Sequence, residues 1–103
     1  MNRLGLWVTA MLAVLPLSGC LVGHPASHET FVNQSTYWVG KPIQNRRNNS
    51  GPSLGVKPLP NGNMEEEWIW ETCRKFYEYD PKTSIIVGWR FVGSTTECIS
   101  VAP

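Results

Sequence analysis

The sequence predicts an α+β domain: a small three-stranded antiparallel sheet with one or two short helices, stapled by a disulfide. Three observations predict it. Ser84 to Val92 alternates, with Ile85, Val87, Trp89 and Phe91 on one face and Ile86, Gly88, Arg90 and Val92 on the other. Asp80-Pro81-Lys82-Thr83 precedes it with turn chemistry, Asp at the first position and Pro presetting the second, so Cys73 to Tyr79 folds back as a hairpin partner. Cys73 and Cys98 are an even pair around that hairpin once Cys20 is assigned elsewhere.

Residues 1–19 have the layout of a secretory signal peptide: Asn2-Arg3, an apolar run from Leu4 to Leu17, then small residues. The run is shorter than the roughly 20 residues that span a bilayer. An ordinary secretory signal or an uncleaved anchor would explain the run but not the position of Cys20. Leu17-Ser18-Gly19-Cys20 resembles the lipobox of bacterial lipoproteins. The resemblance implies that the Cys20 thiol receives a diacylglyceryl group, that the chain is cut before it, and that the new amine is acylated. Acyl chains contribute about 0.8 kcal/mol per buried methylene, and two chains make anchoring stable. The expected first partner is therefore the lipid bilayer, through acylated Cys20. Leu21 stands where that family's inner-membrane retention signal usually has Asp, which implies the outer membrane, facing the periplasm.

Residues 20–35 read as the lipidated cysteine and a polar tether without sustained apolar period. His24 and His28 have helical metal-pair spacing, but Pro25 argues against a helix and no acid or thiol completes a site. No metal and no other cofactor is expected. Residues 36–103 read as one small periplasmic domain. Removal of Arg3 leaves eight basic and eight acidic side chains, and the longest basic run is Arg46-Arg47. Nucleic-acid binding is excluded on that ground, because phosphate neutralisation requires clustered Lys and Arg.

In chain order, Thr36 to Ile43 reads as a short apolar segment ending in a turn at Gly40-Lys41-Pro42. Gln44 to Asn63, crowded with Asn, Gly and Pro, reads as a long loop, mobile or functional, with a weakly supported helix at Ile43 to Asn48. Met64 to Tyr79 carries two signals. Asn63 with Glu66 imitates a capping box. The β-formers Trp68, Ile69, Trp70, Phe76, Tyr77 and Tyr79 favour two strands, about Glu66 to Glu71 and Cys73 to Tyr79. After Gly93-Ser94, Glu97 to Val101 is expected as a last strand carrying Cys98 back to Cys73. A Cys73–Cys98 bond in an exported chain closes a loop worth about 3.5 kcal/mol by chain entropy.

Nothing in the pattern specifies an enzyme. The histidines fall in the tether, the two cysteines bond each other, and adjacent Glu65, Glu66 and Glu67 point different ways and read as a solvated edge. The aromatics are more numerous than one thin layer needs. Trp89 and Phe91 are assigned to the core; Trp68 and Trp70, which share a strand face beside the long loop, to a partner-binding surface.

Val39-Gly40-Lys41-Pro42, Pro60-Asn61-Gly62-Asn63, Trp68-Ile69-Trp70, Cys73 with Phe76-Tyr77, the Asp80 turn, Ile86-Val87-Gly88, Gly93 and Cys98 form a spaced pattern over about residues 36–99. It resembles small outer-membrane lipoproteins of the SmpA/OmlA (BamE-like) type. Where that family has a helix and a Leu-Gly-x-Pro turn, this chain has Gln44 to Gly55, rich in Asn and Arg. The resemblance implies short helices on a three-stranded sheet and a non-enzymatic adaptor that binds an envelope protein. Two other functions fit a small exported domain: an inhibitor of a secreted enzyme such as lysozyme, or an accessory lipoprotein of a phage or conjugative element. No Ser-Gly-x-x-Tyr segment of the lysozyme-inhibitor type is present.

Overall fold

The structure is a computed structural model that describes residues 25–102; the signal region, Cys20 and His24 lie outside the described residues. Two helices, α1 (His28–Thr36) and α2 (Ile43–Ser50), precede four strands: β1 (Gly55–Pro58), β2 (Met64–Trp70), β3 (Cys73–Tyr79) and β4 (Ile86–Val92). The sheet runs in the order β1-β2-β3-β4 with every neighbour antiparallel, so the α+β class holds with four strands rather than three.

Helix α1 replaces the second half of the expected tether. Pro25 lies before the N-cap and breaks nothing. Ser27 caps the helix, its Oγ accepting from the Thr30 N–H at 3.1 Å. Phe31 and Ser35, four apart, form the buried face. His28 is packed too, with Nδ1 2.8 Å from the Cys98 carbonyl and its ring against Phe31 and Phe91.

Helix α2 has no side-chain cap, and of its eight residues only Ile43 and Arg46 are buried. It is held by tertiary contact rather than by propensity. The segment before it is fastened to β4: the Gly40 N–H donates to the Ile86 carbonyl, and the Ile86 N–H to the Lys41 carbonyl. Helix α2 ends at Gly51, whose φ of 77° few other residues adopt readily. With β1 it fills most of the expected long loop. Strand β1 is four residues containing Gly and Pro, poor in strand propensity, and exists because it pairs with β2 from Gly55↔Glu67 to Pro58↔Met64.

Strands β2 and β3 pair through Trp70↔Cys73, joined by Glu71-Thr72, with Glu71 at φ 57°. The strand reading of Met64 to Tyr79 therefore holds over the helix. The β3–β4 register shifts between Glu78 and Tyr79: Glu78 faces Gly88, Tyr79 faces Ile86, and Val87 is left over as a bulge. The expected core face of β4 is corrected accordingly. Ile86, not Ile85 or Val87, is buried with the core, and Val87 is exposed. The expected strand at Glu97 to Val101 is absent. Cys98 instead sits on a turn, its N–H donating to the Ser94 carbonyl at 2.9 Å, and the backbone pairs only at Ser27↔Ser100.

The covered face carries two clusters. Ile43 packs with Trp68, Tyr77, Tyr79 and Ile86; Phe31 packs with the Cys73–Cys98 disulfide; Trp89 touches both. Gly93 is required beside the disulfide: at φ 147° an added Cβ would lie 2.8 Å from the Cys98 Sγ. The open face is a charge ladder around Phe76. Arg90 and Arg74 lie 3.9 and 5.1 Å over its ring, Arg90 binds Glu65 at 2.9 Å, and Arg74 binds Glu67 at 2.6 Å.

Candidate functional site

A cleft of about 470 Å³ opens between the covered face and the helices. Strand alternation puts Trp68 and Trp70 of β2 and Lys75 of β3 on that face. Trp38, after α1, and Arg46, on the buried stripe of α2, come in from the helix side. Gln34, Asn49, Ser50 and Ser100 contribute neutral polar groups to the lining.

The cleft brings the two predicted tryptophans together at different depths. Trp68 is only 5 % exposed and belongs to the core cluster, whereas Trp70 at 44 % stands at the rim. The expectation of an exposed anchor at Trp68 is corrected: α2 covers that end of β2, and the Trp68 indole N–H donates to the Gly51 carbonyl at 3.0 Å. The Trp70 N–H donates to the Ile99 carbonyl at 3.0 Å. Both indoles are thus oriented by backbone.

Arg46 and Lys75 are the functional candidates that sequence reasoning missed. Arg46 is 7 % exposed, its guanidinium 4.7 Å from the Tyr77 ring, 5.0 Å from Trp68 and 5.7 Å from Trp38. Its Nε is shielded from solvent and has no hydrogen-bond partner. Among the described residues Lys75 reaches only the Ser35 Oγ, at 3.3 Å, and lies 5.1 Å over Phe31. Burial first, and then the charge of Arg46, push the Lys75 ammonium down to about 8. Burial likewise holds Arg46 below its ordinary value and raises Tyr77, whose hydroxyl donates to the Ser35 carbonyl at 2.9 Å. No carboxylate is among the described residues that line the cleft.

The acids are committed elsewhere, and the solvated-edge reading of Glu65 to Glu67 is corrected. Glu66 points to the covered face and takes a bidentate grip from Arg47, with Nη2 at 2.7 Å. Glu65 and Glu67 point to the open face and pair with Arg90 and Arg74. Their strand lies inside the sheet, where each carboxylate meets an arginine. Glu78 is held below its ordinary value by hydrogen bonds from Asn61 and Asn63. A signal for Lys75 was present in the sequence: it is the one cation in the Cys73, Lys75, Tyr77, Tyr79 stripe.

No protein-family model matches the chain, no curated protein matches it, and no solved structure matches it. The cleft therefore stands on its own geometry. It offers two cations without a carboxylate partner above and beside aromatic walls, which suits recognition of an anionic group on an apolar body.

Proposed function

We propose that the chain is an envelope lipoprotein, anchored in the outer membrane through acylated Cys20, whose periplasmic domain is a non-enzymatic adaptor that binds a protein partner in the Trp70 cleft. The observation that carries the binding reading is the cleft itself, an aromatic-walled recess whose two cations have no carboxylate partner among the described residues. The reactive groups support a non-catalytic role because they serve structure. Cys73 and Cys98 bond each other, His28 is tied to the Cys98 carbonyl, and Glu65, Glu66 and Glu67 are held by arginines. Among the described residues no helix is long and apolar enough to cross a membrane.

The test is a photo-crosslinking side chain at position 70 in the full chain in cells, with capture from the envelope. A discrete partner protein that disappears with Arg46→Gln supports the reading. Capture of a lysozyme would favour the inhibitor alternative, and capture of phage or conjugation proteins the accessory one. No crosslink from position 70 defeats it. Labelled palmitate should enter the wild type and not Cys20→Ala; label in the mutant overturns the anchor.

A further inference from the structure

The covered face holds an imbalance of charge that the fold does not resolve. Glu66, a carboxylate of that face, is consumed by Arg47, so Arg46 and Lys75 remain as two neighbouring cations in a recess with indole walls and neutral polar groups. An unpartnered buried cation is costly, and a bound anion removes that cost. Arg46 is more than nine-tenths buried, its Nε has no partner, and it lines the cleft. Three indole rings, those of Trp38, Trp68 and Trp70, form walls that a hydrated headgroup would leave unfilled and that an aliphatic or aromatic stem would cover.

We infer that the cleft is a carboxylate receptor, in which Arg46 and Lys75 bind the acidic group of a partner peptide while the indole walls hold its apolar stem. This rests on the reading of the cleft as the adaptor's binding face and names the chemistry that face recognises. A planar carboxylate matches the guanidinium fork, and hydrogen bonds between ionised groups are roughly twice as strong as neutral ones. Gln34 and Asn49 supply amides for the peptide backbone that carries the acid.

The test uses the full chain, nitrogen-15 labelled in detergent, titrated with 3-phenylpropionate as the probe and followed at the indole N–H signals of Trp68 and Trp70. Saturable shifts of both are expected, with 3-phenylpropionamide and inorganic phosphate weaker by about ten-fold or more. Arg46→Gln should weaken the probe by about ten-fold, with the sheet amide signals retained. Lys75→Met serves as the second variant should Arg46→Gln unfold, and should weaken it by about three-fold or more. Equal binding of the amide, tighter binding of phosphate, absence of saturation, or indifference to both substitutions overturns the carboxylate receptor. A position-70 crosslink that persists without probe binding overturns this inference and leaves the adaptor. Probe binding without any crosslinked protein does the reverse.

Discussion

The two faces of the sheet use the same side-chain types and reach opposite electrostatic states. On the open face, Arg74 and Arg90 stack on Phe76, and each is also held by a carboxylate, Glu67 or Glu65. On the covered face, Arg46 stacks on Trp38, Trp68 and Tyr77, and Lys75 lies over Phe31, with no carboxylate on either among the described residues. A cavity of about 430 Å³ lies along the open face as well, so a recess alone does not separate them. What separates them is neutralisation. A cation on an aromatic ring with its own acid closes a structure, whereas the same cation without one leaves a valence for something else to fill.

The largest effect should come from the covered face's hydrophobic floor. Trp68→Ala should lower stability by about 3–5 kcal/mol in urea unfolding, since it empties a packed site under α2. A loss below about 1 kcal/mol would show that α2 does not cover β2. Next comes the open face. Arg90→Met should cost about 1–2 kcal/mol, because it leaves the buried Glu65 with only the more distant Lys57, at 3.8 Å. Half of that loss should appear in thermal melts of the wild type at high salt if the ladder is screened by ions.

The opposite sign is expected on the covered face. Lys75→Met should raise stability at pH 7 by about 1 kcal/mol, since it removes a desolvated cation beside Arg46. The pH profile carries the same information. Held near 8 in the fold against an ordinary 10.5, Lys75 binds fewer protons folded than unfolded between those values. Wild-type stability should therefore rise as pH rises from about 8 toward 10.5, and be lower just below 8. Tyr77 ends the rise: raised by burial, it keeps its proton in the fold while the unfolded chain loses it near 10. The groups facing Lys75 are Arg46, Tyr77 and Ser35. A Lys75→Met variant with the same rise would remove Lys75 as its source. The smallest effect lies in neither face but in the turn that joins β2 to β3. Glu71→Gly should gain about 0.5 kcal/mol in the same unfolding assay by relieving the positive φ.

The paired strands were legible because their information is local. Alternation over β2, β3 and β4, the Asp80-Pro81 turn and the cysteine parity are all written in neighbouring residues. Alternation also put Trp68 and Trp70 on one face, as found. It could not give their depth, which depends on where α2 ends along β2. Ile86 was misplaced for a similar reason: a one-residue bulge at Val87 inverts the alternation on one side, and no residue type announces it. Helix α1 was hidden by Pro25, read as a breaker when it lies outside the N-cap. Helix α2 was only faintly legible, as a weakly supported helix at Ile43 to Asn48, and it runs on to Ser50; β1 was hidden, since Arg-Asn and Gly-Pro stretches are ordered here by contacts distant in sequence. The cleft's cations were legible least. Whether a lysine or arginine is neutralised is a property of pairs, and the pairs Arg47–Glu66, Arg90–Glu65 and Arg74–Glu67 form only once the register is set.

The pairing of Ser27 with Ser100 has a mechanical consequence. Two backbone bonds, 2.9 and 3.0 Å, join the chain where it enters the domain to the stretch just after Cys98. Cys98 is bonded covalently to Cys73 on β3, a strand inside the sheet. Tension applied before Ser27 thus has a load path through Ser100 and the disulfide into the sheet, parallel to the one through α1. In force spectroscopy, reduction of the disulfide should shift the first rupture toward peeling of α1. An unchanged rupture force after reduction would place the load on the helix instead. With the bond intact, pull between the proposed lipid anchor and a proposed partner would be carried through the disulfide and keep the recess beside Ser100 in shape.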